Sequence, residues 1–194
     1  MECDADEISV HVGWENILLR IGEFFDSNQE KLAGLLFNEN NLKNVNPFEL
    51  GVARLLSLAG YTVLWFGKGT KEALPDLVAC IREPLGTERI IYGECTLKNP
   101  TEKFSDLAKR SGDLREVLGV EDETILPVVF VRNNTSDQDR RAAIDHGLAL
   151  CDGNDLRQLQ KMVKSDASPD GVFQFLQSLN SLTLIPGGVA SLLE

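Results

Sequence analysis

The stretch Pro75–Lys98, PDLVACIREPLGTERIIYGECTLK, decides how this chain is read. Two apolar runs, DLVACIR at 76–82 and RIIYGECTL at 89–97, flank a short segment carrying Pro84 and Gly86. Apolar runs of this length, bounded by turn formers, predict two strands joined by a turn near Pro84–Gly86. Asp76 opens the first run and Glu94 stands eighteen positions on, late in the second. Antiparallel pairing of the two strands brings these carboxylates side by side. A carboxylate inside an apolar strand needs a partner or a metal, because burying an unpaired charge is costly. Oxygen donors of this kind suit Mg²⁺, or Mn²⁺ in its place. Such an ion lowers the pKa of bound water and stabilises negative charge on a phosphate. Strand alternation sets Glu94, Thr96 and Lys98 on one face and Cys95 and Leu97 on the other.

Working outward, Asn46-Pro47-Phe48-Glu49 reads as a cap, a proline at the first helical position and an acid in the first turn. Val52, Leu55, Leu56 and Ala59 continue one helical face to Gly60. YTVLWFG at 61–67 is a first strand. Asn99-Pro100-Thr101-Glu102 repeats the capping pattern and opens a helix closing at Gly119. ILPVVFVR (125–132) and LALC (148–151) are further buried strands. Helices are expected at 136–147, at 154–163 and from Ser168-Pro169 onward, and one or two more over 14–37. The order of elements predicts an α/β fold: an αβββαβ core whose first three strands form a meander, with later strands added through crossover helices to make a mixed central sheet flanked by helices. Residues 1–45 are expected to be a helical N-terminal extension, 46–163 the core domain, and 164–194 a C-terminal helix packing on it.

Composition narrows the function classes. The net charge of −11 argues against broad non-specific wrapping of nucleic acid. Between Lys98 and Arg115 the sign reverses locally, with Lys98, Lys103, Lys109, Arg110 and Arg115 outnumbering Glu102, Asp106 and Asp113. The 4 cysteines show no CxxC pairing, and 2 histidines, His11 and His146, are little material for a histidine-centred site. GKGTKE (67–72) lacks the spacing and ending of a nucleotide-binding loop. No apolar run is long enough to span a bilayer, and a cytoplasmic protein with no membrane association is expected.

Pro75-Asp76, a strand, then Glu94-Cys95 resembles the PD-(D/E)xK restriction-endonuclease-like superfamily, in particular its Mrr-like branch. Phe48-Glu49 in the first helix and Gly60-Tyr61 at its end are similar to that branch too. The resemblance covers roughly residues 46–160. It implies that Asp76 and Glu94 are the metal carboxylates, that the Cys95 backbone carbonyl completes the coordination, and that Glu49 is an auxiliary acid. The chain departs from the pattern at Thr96, where the family has a lysine. Lys98 is the substitute expected from the same face, with Lys103, Lys68 and Lys71 as other sources. The catalytic set is then Asp76, Glu94 and Lys98. Lys103, Lys109 and Arg110, on the helix following the strand, are the expected nucleic-acid contacts, and Arg132, Arg140 and Arg141 are secondary candidates.

The resemblance implies a Mg²⁺-dependent nuclease, a DNA endonuclease of restriction or defence type, working as a homodimer or beside a partner domain of a larger protein. The competing expectation is a degenerate nuclease-fold module that binds nucleic acid or protein without cleavage, which Thr96 and the acidic balance favour. Simpler roles stand beside each residue. On these, Asp76 begins a strand at a turn, Glu49 completes a capping box, Lys98 is a charged strand end, and the helix cations form a solvated face. Trp14, Trp65, Tyr61 and Phe66 are read as core.

Overall fold

The computed structural model describes residues 17–38, 46–66, 74–82 and 88–181. Its sheet has the order β1 (Thr62–Trp65), β2 (Leu77–Arg82), β3 (Glu88–Thr96), β4 (Ile125–Val131) and β5 (Ala149–Cys151). The first three strands pair antiparallel, while β4 and β5 add parallel to β3. This is an α/β fold with a five-stranded mixed sheet flanked by helices. The turn expected at Pro84–Gly86, Lys68, Lys71, His11, Trp14 and the boundary near 45 lie outside the described residues.

Residue parity sorts the core into two layers. Leu77, Ala79, Ile91, Cys95, Val128, Phe130 and Ala149 face one layer, with α2 (Glu30–Phe37), α3 (Pro47–Leu58), α6 (Gly153–Lys164) and α7 (Pro169–Ser178). Ile90, Tyr92, Val129, Val131 and Leu150 face the other, against α4 (Phe104–Leu118) and α5 (Asp137–Asp145). Coverage on both sides explains why β4 is buried at every position and reads as one apolar run. The N-terminal pair, α1 (Ile17–Phe25) and α2, contributes Leu19, Leu32 and Leu36 to the first layer.

Asn46 caps α3 by accepting the Phe48 N–H at 3.2 Å. Gly60, at φ 93, turns the chain out of the helix, and Tyr61 donates its hydroxyl to the Pro169 carbonyl at 2.7 Å. Gly93 lets the Leu77 and Phe130 side chains pack close against the β3 backbone. A Cβ there would stand 2.7 Å from Leu77 Cδ1 and 3.2 Å from Phe130 Cε2. A side chain just before Glu94 would therefore displace the Leu77 side chain and crowd the Phe130 ring.

Two local expectations differ from the structure. The helix after Asn99 begins as a single 3-10 turn, Pro100–Lys103, and becomes α-helical only at Phe104. Strand β3 ends at Thr96, so the alternation that sets Lys98 on the face of Glu94 stops two residues short of it. The Lys98 N–H instead donates to Thr96 Oγ1 at 3.1 Å as the chain bends toward the Asn99 cap.

Candidate metal centre

The ladder between β2 and β3 pairs Leu77 with Gly93. Continued by one residue, this register sets Asp76 opposite Glu94, where antiparallel neighbours have Cβ atoms about 4.5–5.5 Å apart. The Phe66 N–H to Asp76 carbonyl bond, 3.1 Å, anchors the Asp76 backbone from the other side. Asp76 Oδ2 accepts the Cys95 N–H at 2.7 Å, which ties the first carboxylate directly across to β3.

Glu94 is 4% exposed, on the face covered by α4. Its Oε2 accepts from Lys103 Nζ at 2.9 Å, and its Oε1 lies 3.6 Å from an Arg110 guanidinium nitrogen. Arg110 also reaches Asp106, 3.9 Å away one helical turn back. Glu49, in the first turn of α3, is 8% exposed. Its Oε1 accepts the Asn46 side-chain amide at 2.6 Å, rather than closing a capping box on the Asn46 backbone. Glu49 Oε2 is buried with no hydrogen-bond partner, the Trp65 indole lying near the carboxyl without bonding geometry.

Each of the three acids is held above its ordinary pKa, chiefly by burial. Burial raises the pKa of Glu49, and the charges of Asp76 and then Glu94 add to the rise, against partial relief from Asn46 and Trp65. Burial also raises Asp76, with the Cys95 N–H and Lys103 opposing. For Glu94, burial is again the largest cause; the Lys103 hydrogen bond opposes it, Asp76 repulsion adds to it, and Lys103 and Arg110 charges oppose it. Burial works to lower the Lys103 pKa, but the Glu94 bond and charge, with Asp76, outweigh it and the net shift is upward. Lys103 therefore senses both carboxylates. Buried Cys95 has its thiol pushed well up, first by burial and then by all three acids.

The structure thus brings together Asp76, Glu94, Glu49, Cys95, Lys103 and Arg110. Lys98 and Lys109 are exposed. Arg132 stacks over the Phe48 ring at 5.3 Å, Arg141 is exposed, and Arg140 belongs to a different cluster. In that cluster Asp152 caps α6 through the Asn154 and Asp155 N–H groups and takes Arg140 at 2.6 Å. The Asp-Gly-Asn-Asp run at 152–155 carries the capping-box spacing that signals it. The Arg110–Glu94 contact has no comparable signal, since it joins a strand to a helix sixteen residues later.

Among the described residues, no group of three or more His, Cys, Asp or Glu is assembled as a metal cluster. The donor set nevertheless fits a hard divalent cation. Mg²⁺ takes one or two carboxylates and fills its other positions with water or phosphate oxygen. The buried, unpartnered Glu49 Oε2 is a spare oxygen beside the pair.

No family model matches the chain, and no curated protein does. One solved structure that matches is the small subunit (R.BspD6I2) of the heterodimeric restriction endonuclease R.BspD6I. It is 13% identical, the match covering 85% of this chain and 97% of that one at a TM-score of 0.41. No helix among the described residues is long and apolar enough to cross a membrane.

Proposed function

We propose that this chain is a metal-dependent nuclease hydrolysing phosphodiester bonds in DNA, of the PD-(D/E)xK kind and its Mrr-like branch. One observation carries the reading: Asp76, one residue before β2, stands opposite Glu94 of β3 in the continued register, with Lys103 bonded to Glu94 at 2.9 Å. A Mg²⁺ or Mn²⁺ ion bound there supplies an activated water and neutralises charge on the scissile phosphate. Asp76 and Glu94 would hold it, with Glu49 and the Cys95 carbonyl as further donors.

Lys103 takes the part that the superfamily lysine plays from position 96. Its ammonium has three donors on a flexible stem, and at 2.9 Å from Glu94 it is close enough to orient a water or meet a phosphate oxygen at the carboxylates. Thr96 cannot supply that charge, and Lys98 lies beyond the strand end. Arg110 draws Glu94 from the α4 side, while exposed Lys109 is available to the nucleic-acid backbone. Restriction or defence in the cytoplasm, with a partner domain or second copy completing the DNA grip, is the setting this reading implies.

The test is cleavage of plasmid and single-stranded substrates with Mg²⁺ or Mn²⁺, comparing wild type with Glu94→Gln. Metal-dependent cleavage by the wild type alone is expected, and equal activity in both proteins would sink the proposal. A second reading, a module that binds nucleic acid without cutting, draws on Thr96 and on the contact of both Glu94 oxygens with cations. Tight DNA binding unaffected by metal, without cleavage, would select it.

A further inference from the structure

Glu49 Oε2, on α3, and Trp65 Nε1, at the end of β1, are both buried without a partner in hydrogen-bonding geometry. Glu49 is 8% exposed, and its other oxygen is taken by the Asn46 amide at 2.6 Å. A carboxylate only accepts and an indole N–H only donates. Each atom is thus the kind of partner that the other lacks. Both are enclosed, so bulk water satisfies neither.

The sheet register explains why they meet. Trp65 pairs with Leu77 across β1 and β2, and directly opposed residues of antiparallel strands present their side chains on one face. Leu77 lies in the core layer that α3 covers. Trp65 is therefore turned toward α3, which packs on β1. The next residue, Phe66, donates its N–H to the Asp76 carbonyl at 3.1 Å. The end of β1 is in this way fastened to the backbone of the first carboxylate of the pair. The indole also acts on the Glu49 carboxyl, opposing the upward push that burial gives its pKa.

Packing alone does not account for a tryptophan at this position. A phenylalanine would supply the apolar contact, whereas a buried indole N–H without an acceptor is a cost. Residues that hold a metal ligand from behind fix its orientation, and their loss typically weakens metal affinity about tenfold to a hundredfold.

We propose that Trp65 is a positioning residue of the metal centre, its indole N–H donating to Glu49 Oε2 and orienting that carboxylate toward the Asp76–Glu94 pair for a divalent cation. The bond is completed when a bound cation orders the carboxylate, since the two groups already lie side by side. The inference rests on the metal-dependent reading of the site, and it concerns ion binding rather than cleavage. Trp65 acts through Glu49 and touches neither ion nor substrate.

The test titrates the full isotope-labelled chain with Mg²⁺ and follows the indole N–H resonances of its 2 tryptophans, Trp14→Phe identifying the one that belongs to Trp65. The Trp65 resonance is expected to move downfield along the Mg²⁺ binding curve, and to stay in place in Glu49→Met. By calorimetry, Trp65→Phe is expected to weaken Mg²⁺ binding about tenfold or more. Added to Glu49→Met it should cost less than about a further twofold, because two residues acting through one carboxylate are not additive. A Trp65 resonance that stays put while Mg²⁺ binds, or losses that multiply in the double variant, would overturn the proposal and leave the metal reading standing. A wild type that binds no Mg²⁺ at millimolar concentration would overturn both. Should Trp65→Phe fail to fold, the wild-type indole titration decides alone.

Discussion

At the end of β5, Asp152 and Asp155 share Arg140; at the β2–β3 edge, Asp76 and Glu94 share Lys103. Both clusters pair one buried and one half-buried acid with a base from a neighbouring helix or turn, and they are built to opposite ends. Asp152 collects the Thr135 N–H and hydroxyl at 3.1 and 3.2 Å, the Asn154 and Asp155 N–H groups at 2.9 and 3.3 Å, and Arg140 at 2.6 Å. Burial alone would raise its pKa, but the amides and Arg140 outweigh it and hold it below the ordinary range. Asp155 stays raised by burial, in spite of the Asp152 N–H and Arg140. At the other cluster all three acids are raised, and one Glu49 oxygen is buried with no partner in hydrogen-bonding geometry. Satisfied acids fasten elements together. Under-satisfied acids in a buried site are where a functional cation finds its ligands.

The contrast is sharpest in what each cluster loses on mutation. Glu94→Gln should lower metal-dependent cleavage by about a thousandfold, the several kcal/mol that a bound ion contributes, while the melting temperature falls little. Asp152→Ala should do the reverse. Removing one partner of a buried pair costs about 3 kcal/mol or more, here joined by the lost cap of α6. Denaturant unfolding and metal titration of both variants check this, and a large stability loss in Glu94→Gln would break the distinction. Smaller still is the effect expected of Lys103→Met, about a hundredfold in rate, at the low end for a positioned proton-transfer or charge group. Lys98→Met should stay within about threefold, as for an exposed charge outside the site. A larger loss at Lys98 than at Lys103 would return the lysine role to the strand end.

How much of this is legible in the sequence depends on the range of the contact. The order of strands follows from apolar runs and turn residues. The carboxylate pair follows as well, because its two members sit on neighbouring strands joined by a short connection, where register is local. Lys103 is visible only as one of several basic residues. What separates its position from that of Lys98 is the end of β3 at Thr96 and the 3-10 turn that follows, a bend that residue alternation cannot register. Asp152 is hidden in a different way. Its capping spacing is plain, but Thr135 and Arg140 arrive from the loop and helix between β4 and β5, so its satisfaction is a tertiary fact. Trp65 carries no sequence signal, because an aromatic residue ending an apolar strand reads as core until its indole is found beside Glu49.

The subtlest difference between the clusters is the sign of their pH dependence in the metal-free protein. A carboxylate whose folded pKa is raised contributes stability that is fully present below its unfolded pKa and lost as pH rises through the folded value. For Glu94 that loss begins near the ordinary 4.5 and for Asp76 near 3.8. Asp152, held below the ordinary 3.8, contributes stability present above that value and lost as pH falls through its folded pKa. Thermal midpoints measured from mildly acid to neutral pH should therefore diverge in opposite senses. Glu94→Gln should gain on wild type as pH rises past 4.5, since glutamine never takes the charge that burial disfavours. Asp152→Asn should fall further behind over the same range, its deficit closing only in acid. Adding Mg²⁺ should help wild type and not Glu94→Gln, because an ion that binds only the folded state stabilises it. If the Glu94→Gln difference is flat with pH and untouched by Mg²⁺, the strain at the β2–β3 edge is structural, and the two clusters are of one kind.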